Sequence, residues 1–190
     1  MDAKEFDIIM IGGSAGSVRV IADILASLPA SFHIPIVIVI HRMKNVVSEM
    51  DRLLSAGANN RKVQEPEDKM LIRNGHIYLA PQNYHLLIEA NRTFSLDYSE
   101  PVHYSRPSID VSFESGAKVY RNKILAILLS GANQDGAYGL EQVIQYEGTA
   151  IVQSPASAEY SIMPNAAIQK NNSVRIQTPG EIVRYLATLI

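Results

Sequence analysis

Three residues of this chain are of the types that general-base activation of a hydroxyl requires, and each directly follows an apolar run. Ser14 lies in Gly12-Gly13-Ser14-Ala15-Gly16, behind Ile8-Ile9-Met10-Ile11. His41 follows Ile36-Val37-Ile38-Val39-Ile40 with no residue between, and Asp135 lies in the loop Ser130 to Gly136 behind the run Ile124 to Leu129. A serine is a poor nucleophile until a base, geometry and nearby backbone N–H groups activate it. An imidazole can take its proton, while a carboxylate fixes the imidazole tautomer and stabilises the imidazolium. Together, Ser14, His41 and Asp135 predict acyl transfer or hydrolysis.

Each residue also has a plainer use. A GxSxG turn leads sharply from strand to helix and holds a hydroxyl at a helix N-terminus, but the same turn can cradle a phosphate or merely connect. Neither GxGxxG nor GxxxxGK[ST] is present. A histidine ending a buried strand can be a hydrogen-bonded structural residue, and Asp135 before Gly136 can be the N-cap of the following helix. The order Ser, His, Asp differs from the Ser, Asp, His order of α/β-hydrolases, which counts against that assignment. Among the other histidines, His33, His76 and His103 fall in turns or at the starts of runs, whereas His85 is the one rival that could line the site. No metal-ligand spacing such as HExxH occurs, so no catalytic metal is expected.

In open α/β sheets ligands bind beyond the carboxyl ends of the strands, so the three runs must be strands sharing one rim. The flanking pattern agrees. Short β-branched runs alternate with helical periods, which predicts a doubly wound, mostly parallel sheet flanked by helices. Strands are expected over Asp7 to Ile11, Ile36 to Ile40, Ile124 to Leu129 and Thr149 to Gln153. Helices are expected over Val18 to Leu28, Val46 to Ala56 with Gly57 as C-cap, Pro107 to Tyr120 and Gly136 to Tyr146, with another opening at Pro164 and a last over Glu181 to Leu189. Three runs, Gly75 to Ala80, Tyr84 to Glu89 and Thr93 to Tyr98, read as an antiparallel hairpin or meander attached to the main sheet. With no repeat, linker or charge block, residues 1–190 are expected to form one domain.

Composition narrows the setting. A hydrophobic content of 47% with 19% charged residues is that of an ordinary globular protein, and a net charge of −2 gives no reason to expect nucleic acid or an anionic membrane as partner. The absence of cysteine excludes disulfides, thiolate catalysis and cysteine-ligated zinc. The start Met1-Asp2-Ala3-Lys4-Glu5 is no basic leader, and no run approaches the roughly 18 residues of a membrane-spanning helix. A cytoplasmic location is expected, without membrane insertion.

The motifs also resemble, in order, those of the catalytic domain of CheB chemotaxis protein-glutamate methylesterases. Ile11 to Gly16 resembles that family's IGxSxGG start, and Val39-Ile40-His41-Arg42-Met43 its histidine segment. Gly75 to Leu86 is similar to its GxxYxAPxxxHL hairpin, Arg106-Pro107-Ser108-Ile109-Asp110 to its RPSxD segment, and Leu129 to Leu140 to its TGxxxDGAxGL loop. Gln153 and Met163-Pro164-Asn165-Ala166-Ala167 match its Q and MPxxA elements.

The resemblance implies that Ser14, His41 and Asp135 are the catalytic triad and that no cofactor is needed. It implies a substrate as well: methyl-esterified glutamates on the cytoplasmic helices of chemoreceptors, with deamidation of receptor glutamines through the same acyl-enzyme. Backbone N–H groups at Ala15, Ala132 and Asn133 are the expected oxyanion donors. Arg106 and His85 are expected either to position a substrate helix or to support the loops. Ala15 and Ser17 replace the family's usual neighbours of the serine, and Ala132-Asn133 lacks its methionine. Substrate fit could therefore differ, which leaves a related esterase or amidase, or an inactive interaction module, as alternatives. With its first strand at residue 7, the chain is expected to hold no receiver domain. It would be an excised catalytic domain or a stand-alone protein, with a response-regulator receiver domain as a separate or removed partner.

Overall fold

The computed structural model describes residues 5–43, 48–59 and 61–189. In chain order the elements are β1 (Ile8–Gly13), α1 (Val18–Ser27), β2 (Ile36–Ile40), α2 (Met50–Ala56), β3 (Val63–Gln64), β4 (Ile77–Leu79), β5 (His85–Ile88) and β6 (Phe94–Asp97). Then follow α3 (Ile109–Tyr120), β7 (Ile124–Leu128), α4 (Ala137–Gln145), β8 (Thr149–Gln153), α5 (Ile162–Lys170), β9 (Arg175–Gln177) and α6 (Pro179–Ala187). Seven strands form one parallel sheet in the order β3-β4-β2-β1-β7-β8-β9.

The central strands are apolar on both faces because helices cover both. Ile9, Ile11, Ile36, Ile38 and Ile40 face α1 and α6, packing with Ile21, Ile24, Leu25, Ile182 and Leu186. Ile8, Met10, Val37 and Val39 face the other way, against Phe113 and Ala117 of α3, Leu140 and Val143 of α4 and Ala167 of α5. The chain leaves β1 toward β2 on one side and later returns to β7 on the other. That reversal opens a crevice at the carboxyl end of β1, the usual ligand position in such sheets.

The expected fold class is present, with one local correction. The run containing Ile77 to Leu79 does not join an antiparallel meander; it pairs in parallel with β2 in the main sheet. Only β5 and β6 form an antiparallel hairpin, as a separate two-stranded sheet. An apolar run carries no mark of its strand direction, which is set by the partner it meets. The outer edge of β5 is tied to α3 by hydroxyls: Ser112 Oγ donates to the Leu86 carbonyl (2.7 Å), and the Ile88 N–H donates to Ser115 Oγ (3.0 Å). The short edge strands β3 and β9 were not expected. The helix anticipated from Val46 starts at Met50 among the described residues, and positions 46–47 lie outside them. Gly57 is its C-cap, though with an ordinary φ of −93°.

Candidate active site

Ser14 follows β1, His41 follows β2, and Asp135 lies between β7 and α4, so all three occupy the carboxyl rim of adjacent strands. Sheet pairing continues past the strand ends and locks their loops together. The Ser14 N–H donates to the Ser130 carbonyl (2.9 Å), and the His41 N–H donates to the Gly13 carbonyl (3.3 Å). Gly16 closes the serine turn with φ +77°, and a Cβ there would come within 2.6 Å of Glu159 and 2.8 Å of Ser130 Oγ. Only glycine satisfies both the backbone and the space. Ser17 completes the turn, donating from its hydroxyl to the Ser14 carbonyl at 2.7 Å.

The His41 ring meets Asp135 directly, with Nε2 2.7 Å from Oδ2. The carboxylate is fully buried, and the ring is 11% exposed. Asp135 receives much more than one histidine. Its Oδ2 also accepts from the Ile109 N–H (2.7 Å), while Oδ1 accepts from Ser108 Oγ (2.9 Å), the Asp110 N–H (3.0 Å) and the Gly136 N–H (3.1 Å). Burial alone would push the carboxyl up, but the His41 ring and the N–H groups of Asp110 and Ile109 reverse that and hold it below its ordinary value. An ionised, fixed carboxylate is what orients an imidazole and stabilises its charged form.

Asp135 thus serves a helix N-terminus, but not the one the sequence suggested. The N-cap of α4 is Gly136, and the Asp135 carboxylate instead satisfies the first turn of α3. Helix α3 itself starts at Ile109 with Ser108 as N-cap, two residues later than expected from Pro107.

Ser14 is half-buried, and no hydrogen bond joins its hydroxyl to His41 among the described residues. Serine–histidine contacts of this kind are often loose without substrate and tighten in the reacting complex. With Nε2 committed to Asp135, Nδ1 is the ring nitrogen left to accept a proton. Among the described residues the N–H groups of Ala15, Ala132 and Asn133 have no hydrogen-bond acceptor. The Asn133 side chain turns inward and accepts from the Asp135 N–H at 3.2 Å.

His85 and Arg106 are committed to the loop between β6 and α3. His85 Nδ1 accepts from the Ser108 N–H (3.1 Å), and Nε2 lies 3.0 Å from the Glu100 carbonyl, which fixes a neutral ring with its proton on Nε2. Arg106 donates to the carbonyls of Tyr98 and Ser99 and stacks over the Tyr98 ring at 3.9 Å. These bonds brace the loop, and the buried Arg106 Nε has no hydrogen-bond partner among the described residues.

Ser108, Asp110 and Gln153, named in the sequence only as parts of motifs, and Ser130 turn out to support the site. Ser130 Oγ donates to the Ala15 carbonyl (2.8 Å) and accepts from the Tyr160 N–H, and Gln153 Oε1 accepts from the Ser130 N–H. They pin the loop after β8 against the serine turn. The signal for Ser108 was available, as a serine immediately before a helical period. Ser130 and Gln153 carried no comparable local signal. Within the described residues there is no cluster of three potential metal ligands, and no helix is long and apolar enough to cross a membrane.

The family model described as CheB methylesterase matches residues 9–186. Over 164 residues the chain is 46% identical to a Leptospira interrogans protein named "Putative protein-glutamate methylesterase/protein-glutamine glutaminase", covering 86% of this chain and 84% of that one. It is 31% identical over 186 residues to the Thermotoga maritima protein-glutamate methylesterase/protein-glutamine glutaminase, covering 96% of this chain and 54% of that relative. The crystal structure of the Thermotoga maritima CheB methylesterase catalytic domain superposes with a TM-score of 0.90 at 28% identity, covering 98% of this chain and all of the other. This chain belongs to the CheB methylesterase family.

Proposed function

We propose that the chain is a serine esterase that hydrolyses glutamyl methyl esters, with Ser14 as nucleophile, His41 as general base and Asp135 as the carboxylate that orients it. The observation carrying this reading is the 2.7 Å His41–Asp135 contact on the rim beside Ser14. The methylesterase names of its relatives supply the substrate class.

In this mechanism His41 Nδ1 takes the Ser14 proton as Oγ attacks the ester carbonyl. The N–H groups of Ala15 and of the Ala132-Asn133 loop hold the oxyanion, in a position prepared before the charge develops. His41 then protonates the departing methoxide, giving methanol and an acyl-serine. Water enters, His41 removes its proton, and collapse of the second tetrahedral intermediate restores the glutamate carboxylate and the serine. A glutamine side chain follows the same course with ammonia leaving, in keeping with the glutaminase part of the relatives' names. The substrate we assign is a methylated cytoplasmic helix of a chemoreceptor.

Incubation with receptor fragments carrying labelled methyl groups tests this reading. Wild type is expected to release labelled methanol and Ser14→Ala to release none. Labelling of Ser14 by an organophosphonate without methanol release would instead mark an esterase for another substrate. Neither signal would mark a binding module that has kept the fold.

A further inference from the structure

Two buried carboxylates meet beside the candidate site, and the mechanism above uses only one. Asp135 stands immediately before α4 yet caps α3, through the N–H groups of Ile109 and Asp110. Asp110 stands in the first turn of α3 yet caps α4: its Oδ1 accepts from Gly136 N–H (2.9 Å) and Gly139 N–H (2.6 Å). Each acid thus closes the other's helix. The Gly136 N–H is shared, lying 2.9 Å from Asp110 Oδ1 and 3.1 Å from Asp135 Oδ1. The helices can approach this closely because residue 139 is glycine; a Cβ there would lie 2.7 Å from Phe113 Cβ and 3.0 Å from Asp110 Cα.

We propose that Asp110 is a positioning residue for the His41–Asp135 pair, holding the first turn of α4, and with it Asp135, through this reciprocal capping. The inference rests on the proposed role of that pair. It requires Asp110 twice over. Its side chain anchors the two α4 N–H groups that follow Asp135, and its own N–H is one of the donors that choose the Asp135 rotamer. Loss of the side-chain acceptor frees α4 to shift by a fraction of an ångström, and displacements near 1 Å in a catalytic constellation cost about 10²-fold in rate.

The arrangement also sets a second carboxylate beside that of Asp135. Facing Asp110 are Asp135 and, through its Nε2 at 3.3 Å from Oδ2, His103. Tyr138 and Lys170 line the same cleft of about 450 Å³. Burial and the Asp135 charge raise the Asp110 carboxyl to about 6, against the opposing pull of the Gly139 N–H and His103.

The test compares D110A with D110N, reading both methanol release and the rate at which an organophosphonate labels Ser14. D110A is expected to slow labelling and kcat by at least about 10-fold, with KM changed less than about threefold. D110N keeps an acceptor for Gly136 and Gly139, so it is expected to recover most of that loss. Thermal unfolding of both variants guards against global loss of structure. If D110A labels as fast as wild type, or if D110N is no better than D110A, the positioning role is overturned. Failure of the substrate reading looks different: Ser14 of the wild-type protein would be labelled without methanol release, and the Asp110 comparison would still be read from labelling. Ser14 labelling that proceeds at the wild-type rate in His41→Ala would overturn the pair itself and this inference with it.

Discussion

His41 and His85 are both held by hydrogen bonds, yet their ring nitrogens are committed differently. His85 is 1% exposed and spends both ring nitrogens on backbone, one accepting from Ser108 N–H and the other facing the Glu100 carbonyl. His41 spends one nitrogen on an ionised carboxylate and keeps a ring edge open toward the crevice. Proton transfer needs a free nitrogen and a partner that welcomes the positive charge. A histidine whose two nitrogens are locked to backbone has neither.

Breaking that contrast at its strongest point gives the largest effect. His41→Ala is expected to reduce kcat about 10⁴-fold or more while the protein still folds, as measured by methanol release and thermal unfolding. Asp135→Asn reaches the same base through its partner. It should lower kcat by about 10³- to 10⁴-fold, because an amide can hold the ring in the wrong tautomer and cannot balance the imidazolium. A variant retaining more than a tenth of wild-type kcat would remove Asp135 from the mechanism.

For His85 the balance reverses. His85→Ala strands the buried Ser108 N–H at a cost of about 1–3 kcal/mol, so urea denaturation should report a loss of stability. Activity per folded molecule should fall less than about 10-fold. If instead kcat collapses while stability holds, the assignment of the two histidines is the wrong way round.

The smallest effect concerns charge alone. The Asp110 carboxyl is raised to about 6 in the fold, against about 3.9 in an unfolded chain. Between those values the native state holds more protons than the unfolded state, so this contribution is present at low pH and lost as pH rises through about 6. Asp135, held below its ordinary value, works in the opposite sense: its contribution is present at neutral pH and lost as pH falls. Unfolding of D110N between pH 4.5 and 7 should therefore gain about 1–2 kcal/mol relative to wild type as pH rises. A flat difference would mean that Asp110 does not titrate in this range.

Much of this was legible beforehand, for identifiable reasons. β2 and β8 run over Ile36–Ile40 and Thr149–Gln153 as expected, because buried parallel strands are unbroken β-branched runs between turn residues. β3 and β9, two and three residues long, sit at the sheet edges, and Arg175 and Ile176 of β9 are exposed, so no apolar pattern announced them. The rim placement of Ser14, His41 and Asp135 was legible from the strand ends, with the family resemblance behind the choice of histidine. What stayed hidden was tertiary: local sequence proposes that Asp135 caps its own helix, and only the packing of α3 against α4 gives it another. Asp110 was visible merely as part of a short motif, since nothing near it in sequence says that its carboxylate reaches Gly136 and Gly139.

The hydroxyls that fasten β5 to α3 carry a consequence for solubility. A two-stranded hairpin outside the main sheet ordinarily offers an unpaired row of N–H and C=O groups on which another chain could add a strand. Here Ser112 and Ser115 occupy the Leu86 carbonyl and the Ile88 N–H on that side. The helix guards the hairpin against self-association by offering hydroxyls where a neighbouring molecule would offer backbone.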